Sequence, residues 1–294
     1  MVKDGSVQEL AKDWWMKVPL LDFQDKLEDC LEARGAQDIT LDRASAMIQW
    51  AERIHRCGVR FLARKSEAFT KTDLNLIELR SEKENISFLH AGGQSLAVAG
   101  PLALEKAFIQ AKEKGIGLSV ISDTCDLIGV GQLVEEAVEK GYACFASFVE
   151  SPLSEEGQLL TEIYGHTRGI IGVPGKDEVL HIELYGLPVS HDAFMQGIAP
   201  ENIGDLLVSV LSKTETLLPG CTLLCLDLPD LYENIIKGLE AGIKATPARL
   251  YNPADFEARN RDIAQEGYEL DEGDWKAVLE SNGLFLPPEG TAEL

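Results

Sequence analysis

The stretch that most constrains this chain is Ser87–Glu150, where the spacing of apolar residues changes abruptly from one segment to the next. Strand-like Ser87–His90 runs into the glycine pair Gly92–Gly93 and then into a helical pattern over Pro101–Lys114. There Leu102, Leu104, Ala107, Phe108 and Ala111 recur on one face. Gly115 ends that pattern, and the β-branched run Ile116–Ile121 follows. A polar loop, Ser122–Gly131, leads to a second helix over Gln132–Lys140, closed by Gly141 and followed by a strand over Tyr142–Val149. Two βα units in tandem are therefore expected. Ligands of α/β sheets gather where strands end, which directs attention to the loops Ala91–Gly100 and Ser122–Gly131.

The flanking segments read as helices and short strands. Val18–Gly35 carries Leu20, Leu21, Phe23, Leu27, Cys30 and Leu31 on one broad face. A second helix is expected over Leu41–Arg56, with Thr40 as its N-cap and Gly58 as its stop. Cys57–Phe69 is a basic segment in an otherwise acidic protein; Arg60, Arg64 and Lys65 are either a solvated face or an anion pocket. Strands are expected over Thr70–Arg80, Glu84–His90, Gly165–Gly175, Glu178–Gly186 and Cys221–Leu228, and helices over Asn202–Thr216, Pro229–Gly242, Pro253–Gln265 and Asp271–Ser281.

Net charge decides which partners are plausible. With 49 acidic against 27 basic residues the chain carries −22, so a nucleic-acid backbone would be repelled. No apolar run is long enough to span a bilayer, and the start MVKDGSVQELAKDWW lacks the layout of a signal peptide, so the expectation is a cytoplasmic protein without nucleic-acid or membrane partners. Six scattered cysteines indicate neither a disulfide framework nor a structural zinc site.

The order helix, CGVRFLAR, strand, GGQSLAVAGPLALEKAFIQAKEKGIGLSVIS, loop, helix, EKGYACFASF resembles the malate/L-lactate dehydrogenase-like family, NAD(P)-dependent oxidoreductases that lack a Rossmann domain. The resemblance is best over Ala44–Val149 and returns in RLYNPADFEARNRDIAQEGYELDEGDWKAVLESNGL. It implies an α/β fold with a mixed, largely antiparallel sheet flanked by helices and an N-terminal helical segment. Residues 1–80 would pack with the C-terminal helices, 81–228 would form the α/β core and 229–294 a C-terminal helical segment. It also implies NAD(P) as cofactor, a small carboxylate ligand and a homodimer.

The motifs of that family are altered at the chemistry. The family's histidine–glycine–valine turn reads Cys57–Gly58–Val59, and the place of its substrate arginine falls on Phe61, with Arg60 and Arg64 beside it. The place of the catalytic histidine falls on Asp126, preceded by Cys125, and the nearest match to the orienting aspartate is Glu183. Gly92, Gly93, Gln94, Thr124, His166 and Thr167 fall where the cofactor would be contacted. Ser190–Gly220 is far shorter than the family's cofactor-closing segment, and no GxGxxG follows a strand.

Carbonyl reduction needs a proton donor poised near neutral pH, which histidine supplies; an aspartate reaches that range only when burial raises its pKa by several units. Two readings follow: a fold that recognises a small 2-oxo, 2-hydroxy or imino acid with hydride transfer altered or lost, or an active reductase using Asp126 and Glu183 as a rebuilt relay. A third takes Cys57 and Cys125 as a thiol pair or, with His55 and Asp126, as metal ligands, against two unrelated buried thiols. Trp14–Trp15 suits an arm or dimer contact, and the contiguous Ser190–His191–Asp192 is not a triad by adjacency alone.

Overall fold

In the computed structural model, residues 15–36, 38–65, 72–83, 85–149, 169–174, 179–184, 220–233, 248–251 and 253–281 are described. In order they form β1 (Trp15–Val18), α1 (Leu20–Ala33), α2 (Asp38–His55), α3 (Gly58–Arg64), β2 (Glu78–Lys83), β3 (Ile86–His90), α4 (Leu96–Lys114), β4 (Ile116–Ser122), α5 (Val130–Glu139) and β5 (Ala143–Val149). There follow β6 (Gly169–Pro174), β7 (Val179–Leu184), β8 (Gly220–Leu226), β9 (Ala248–Tyr251), α6 (Pro253–Glu266), β10 (Tyr268–Asp271) and α7 (Glu272–Ser281). The expected helix over Asn202–Thr216 lies outside the described residues.

The expected tandem βα units are present. Strands β3 and β4 pair in parallel, Ile86 opposite Leu118 through His90 opposite Ser122, with α4 as the crossover. The second unit has a twist that local periodicity does not encode. Strand β8 inserts between β4 and β5 and runs antiparallel to both. The full order is β2-β3-β4-β8-β5-β6-β7-β9, and every other neighbouring pair of this sheet is antiparallel. The sheet is therefore mixed and largely antiparallel, with the helical N-terminal region packed beside it.

Both sheet faces are buried. Leu89, Ile121, Cys144, Ala146, Ile170, Cys221 and Leu223 share one core with the inner faces of α2, α4 and α5. Leu118, Val120, Phe145, Ile171 and Leu224 alternate onto the opposite face and are buried as well. Helix α4 lies hard against β4: a Cβ on Gly117 would come within 1.9 Å of the Ala107 carbonyl oxygen. On α5, a Cβ at Gly131 would sit 2.0 Å from the ring of Trp50, which is fully enclosed on α2. Gly131→Ala is accordingly expected to lower stability by about 1–3 kcal/mol, the usual range for overpacking. Thermal melting reads this directly; an unchanged midpoint would mean the α2–α5 contact yields without strain.

Several sequence expectations shift for identifiable reasons. Helix α2 begins at Asp38, so Thr40 lies inside it rather than capping it. Gly58 does not stop α2; it opens α3, and its lack of a Cβ matters because one would stand 2.3 Å from the Ile48 carbonyl oxygen. The break between the two helices is made by Arg56, which adopts φ 54°. Helix α4 starts at Leu96, five residues before Pro101, because Ser95 caps it, its hydroxyl accepting from the Ala97 amide at 3.2 Å. The antiparallel pair β1–β10 and strand β9 are additional to the expected elements. Trp15 sits on β1 with the Arg56 guanidinium 5.6 Å above its ring.

Candidate functional site

Because β3 and β4 run in parallel, the loops that follow them leave the same edge of the sheet and are stitched together by backbone hydrogen bonds. Ala91 N–H donates to the Ser122 carbonyl at 2.8 Å, Gly93 N–H to that of Asp123 at 2.8 Å, and Cys125 N–H to that of Gln94 at 3.2 Å. The Gln94 side-chain oxygen accepts from Asp73 N–H at 2.9 Å, which ties in the turn Leu74–Leu76. Gly92 and Gly93 have φ of 60° and 77°, and a Cβ at Gly92 would collide with the Leu76 carbonyl at 2.6 Å. At Gly93 a Cβ would meet nothing within 4 Å, so this side of the turn is open.

Asp126 is the centre of the assembly. It is 4% exposed. Oδ1 accepts from Leu96 N–H at 3.3 Å and Ile128 N–H at 3.1 Å, and Oδ2 accepts from the Cys125 thiol at 3.3 Å. Ser95 adds a further side-chain hydrogen bond. Burial pushes the Asp126 carboxyl above the usual carboxylate range, with these donors pulling the other way. Burial, reinforced by the Asp126 charge, also drives the Cys125 thiol far up, so it is not a thiolate at neutral pH.

Two further polar groups face inward here. The Thr124 hydroxyl is buried with no hydrogen-bond partner among the described residues, and His90 Nε2 stands 3.3 Å from Asp123 Oδ2. At the end of α3, Lys65, its C-cap, is close enough to act electrostatically on Cys125, and Arg64 is exposed on the last turn.

The other candidates fall elsewhere. Cys57 is buried, its thiol donating to the Ala51 carbonyl at 3.5 Å within the α2–α3 turn. Arg60 is held by Asp274 of α7 at 3.3 Å. Phe61, at the place expected for a substrate arginine, is a core residue. Glu183 lies on β7, four strand positions from β4, about 19 Å at the usual strand spacing. Among the described residues the partners of the Asp126 oxygens come from residues 95–96, 125 and 128. His166 and Thr167 lie outside the described residues. No group of three or more His, Cys, Asp or Glu among the described residues is arranged to hold a metal ion.

Sequence reasoning reaches Lys65 through the anion-pocket reading of the basic segment but misses Glu52 altogether. Glu52 is 4% exposed on α2, where its carboxylate accepts from Val59 N–H at 2.9 Å and so fixes the start of α3. Burial raises its carboxyl to about 7, against the opposing charges of Arg60 and Arg56. The signal was readable: Glu52 stands four residues after Ile48, on the apolar stripe of its own helix.

The fit of a dinucleotide can be tested on this geometry. A pyrophosphate needs convergent, unspent backbone N–H groups. At Gly92–Gln94 two of the three are spent inside the protein, Gly93 on Asp123 and Gln94 on the Ala91 carbonyl at 3.1 Å. The described residues therefore do not form a phosphate cradle at this turn.

No protein-family model matches the chain, and no curated protein matches it either. Solved structures do. Malate dehydrogenase from Pyrococcus horikoshii OT3 superposes with a TM-score of 0.63 at 13% identity, covering 96% of this chain and 99% of that one. Sulfolactate dehydrogenase from Methanocaldococcus jannaschii gives 0.60 at 14% identity, over 91% and 98% of the two chains. Delta1-piperideine-2-carboxylate reductase from Pseudomonas syringae gives 0.54 at 13% identity, over 90% and 99%. At these identities the likeness is one of fold.

Proposed function

We propose that this chain, which has the non-Rossmann fold of the malate/L-lactate dehydrogenase-like proteins, recognises a small 2-oxo, 2-hydroxy or imino carboxylic acid at the joined loops after β3 and β4, with the hydride-transfer chemistry of that fold altered or lost. The observation that carries this reading is the employment of Asp126. A general acid must present its proton to the substrate. The Asp126 oxygens instead accept from two backbone amides and a thiol, which makes the residue a brace between the two loops.

The ligand's carboxylate has a basic counterpart in Arg64 and Lys65 at the end of α3, where Lys65 acts electrostatically on Cys125. The open side of Gly93 leaves room for a ligand at the joined loops. The same reading makes the protein a cytoplasmic homodimer, and the packing of α3 on α7 supports an N-terminal helical segment joined to the C-terminal one.

One observation favours the second reading, an active NAD(P)H-dependent reductase relying on Asp126 and Glu183: burial raises the Asp126 carboxyl in the direction a proton donor needs. Calorimetric titration with oxaloacetate, pyruvate and a cyclic imino acid, each with and without NADH or NADPH, separates the two. Saturable carboxylate binding that weakens about tenfold or more in the double variant Arg64→Ala/Lys65→Ala, with no loss of nicotinamide absorbance, is the expected result. Turnover would establish the second reading, and no binding of any acid at millimolar concentration would sink both.

A further inference from the structure

Away from the joined loops, a cleft of about 740 Å³ opens between the last turns of α2, the second half of α6 and strand β10. Its charges are unevenly employed. Arg53 is bonded to Glu135 at 2.7 Å and Asn260 at 3.0 Å. The Arg259 guanidinium donates to the Arg53 and Ile54 carbonyls at 3.1 and 3.0 Å, closing the end of α2. Arg56 is paired with Glu269 at 3.0 Å and Lys17 with Glu266. Every lysine and arginine of the wall thus has a partner inside the protein. Of the acids of the wall, Glu266 and Glu269 are spent in those pairs, and the other two are different. Glu52 is enclosed with a single backbone donor on its carboxylate, and Asp262, exposed on α6, has no ion pair among the described residues.

We propose that this cleft binds an organic cation, a primary ammonium on a short alkyl chain, with the ammonium held by Glu52 and Asp262 and the chain lying along Ile263 and Tyr268. An anion is disfavoured because the cations that would receive it are already neutralised and Glu52 would face it. A bare metal ion is disfavoured because the described acids do not converge as a ligand set. An ammonium supplies what is missing, a donor to the remaining carboxylate capacity of Glu52 in a low-dielectric site. The chain's overall charge of −22 favours the same sign of ligand.

The cleft also gives the binding a pH signature. Glu52 is faced by Arg56 on its own helix, Arg60 on α3, Asp274 on α7 and Tyr268 on β10. Its carboxyl titrates at about 7, so the cation must displace a proton from it below that pH and need not above. Affinity therefore rises from pH 6 to pH 8 and then levels.

Isothermal titration of the whole protein with n-butylammonium chloride against sodium chloride of equal ionic strength tests this. One saturable site at pH 8 is expected, weaker at pH 6 with proton release, and about tenfold or more weaker in Glu52→Gln. Asp262→Asn, an exposed change that leaves the core untouched, is expected to weaken it several-fold and serves if Glu52→Gln does not melt cooperatively. No saturable binding at millimolar ligand, or the same affinity in both variants, would overturn the proposal.

Discussion

Glu52→Gln is expected to be more stable than the parent protein at pH 8 and equal to it at pH 4.5. Glutamine keeps an oxygen to accept from Val59 N–H, so the start of α3 retains its contact. What it removes is an ionisation that burial opposes. The folded-state value of about 7 lies above the unfolded 4.5. Between those pH values the folded protein holds more protons than the unfolded chain, so this group's contribution is fully present below 4.5 and is lost as pH rises through 7. A displacement of that size corresponds to roughly 3 kcal/mol.

The carboxyls of buried Asp126 and half-buried Glu135 are displaced in the same direction, so the pH profile of the parent alone mixes all three. The difference between parent and variant isolates Glu52. Chemical denaturation at pH 4.5, 6 and 8 measures it; a difference that does not grow with pH would show that Arg56 and Arg60 hold the carboxylate ionised at no cost.

How much of this was legible beforehand depends on the range of each interaction. The elements β3, α4, β4, α5 and β5 are written in local spacing, and they appear within a few residues of the expected bounds. The start of α4 was misplaced because Pro101 is a familiar first-turn residue, whereas the cap that counts, Ser95, is recognisable only once Leu96–Gly100 is known to be helical. Strand β8 was visible as a buried run, but nothing in Gly220–Leu226 says that it separates β4 from β5.

The candidate site follows the same rule. Sequence order brought attention to Gln94, Thr124, Cys125 and Asp126, and the fold gathers them in one loop pair. The hydrogen bond from Leu96 N–H to Asp126, across thirty residues of chain, left no local trace. The separation of Glu183 from Asp126 is likewise a property of strand order, not of either motif.

The Asp126 brace makes the sharpest demand on experiment. Asp126→Ala should cost about 3–5 kcal/mol, because Leu96 N–H and Ile128 N–H would be left buried without an acceptor. Asp126→Asn should cost far less: its carbonyl oxygen can still receive both amides, and the amide nitrogen faces the Cys125 sulfur, which can act as a weak acceptor. If Asp126 is only a brace, Asp126→Asn retains carboxylate binding, and the two variants rank by stability alone. If it is a proton donor, Asp126→Asn binds the same acids but abolishes any NAD(P)H-dependent turnover of the parent, since an amide has no proton to give at neutral pH. Denaturant melts of the three proteins, run alongside acid titrations and nicotinamide absorbance, distinguish these outcomes. Equal destabilisation by alanine and asparagine would refute the brace, because the two differ in the acceptor on which it depends.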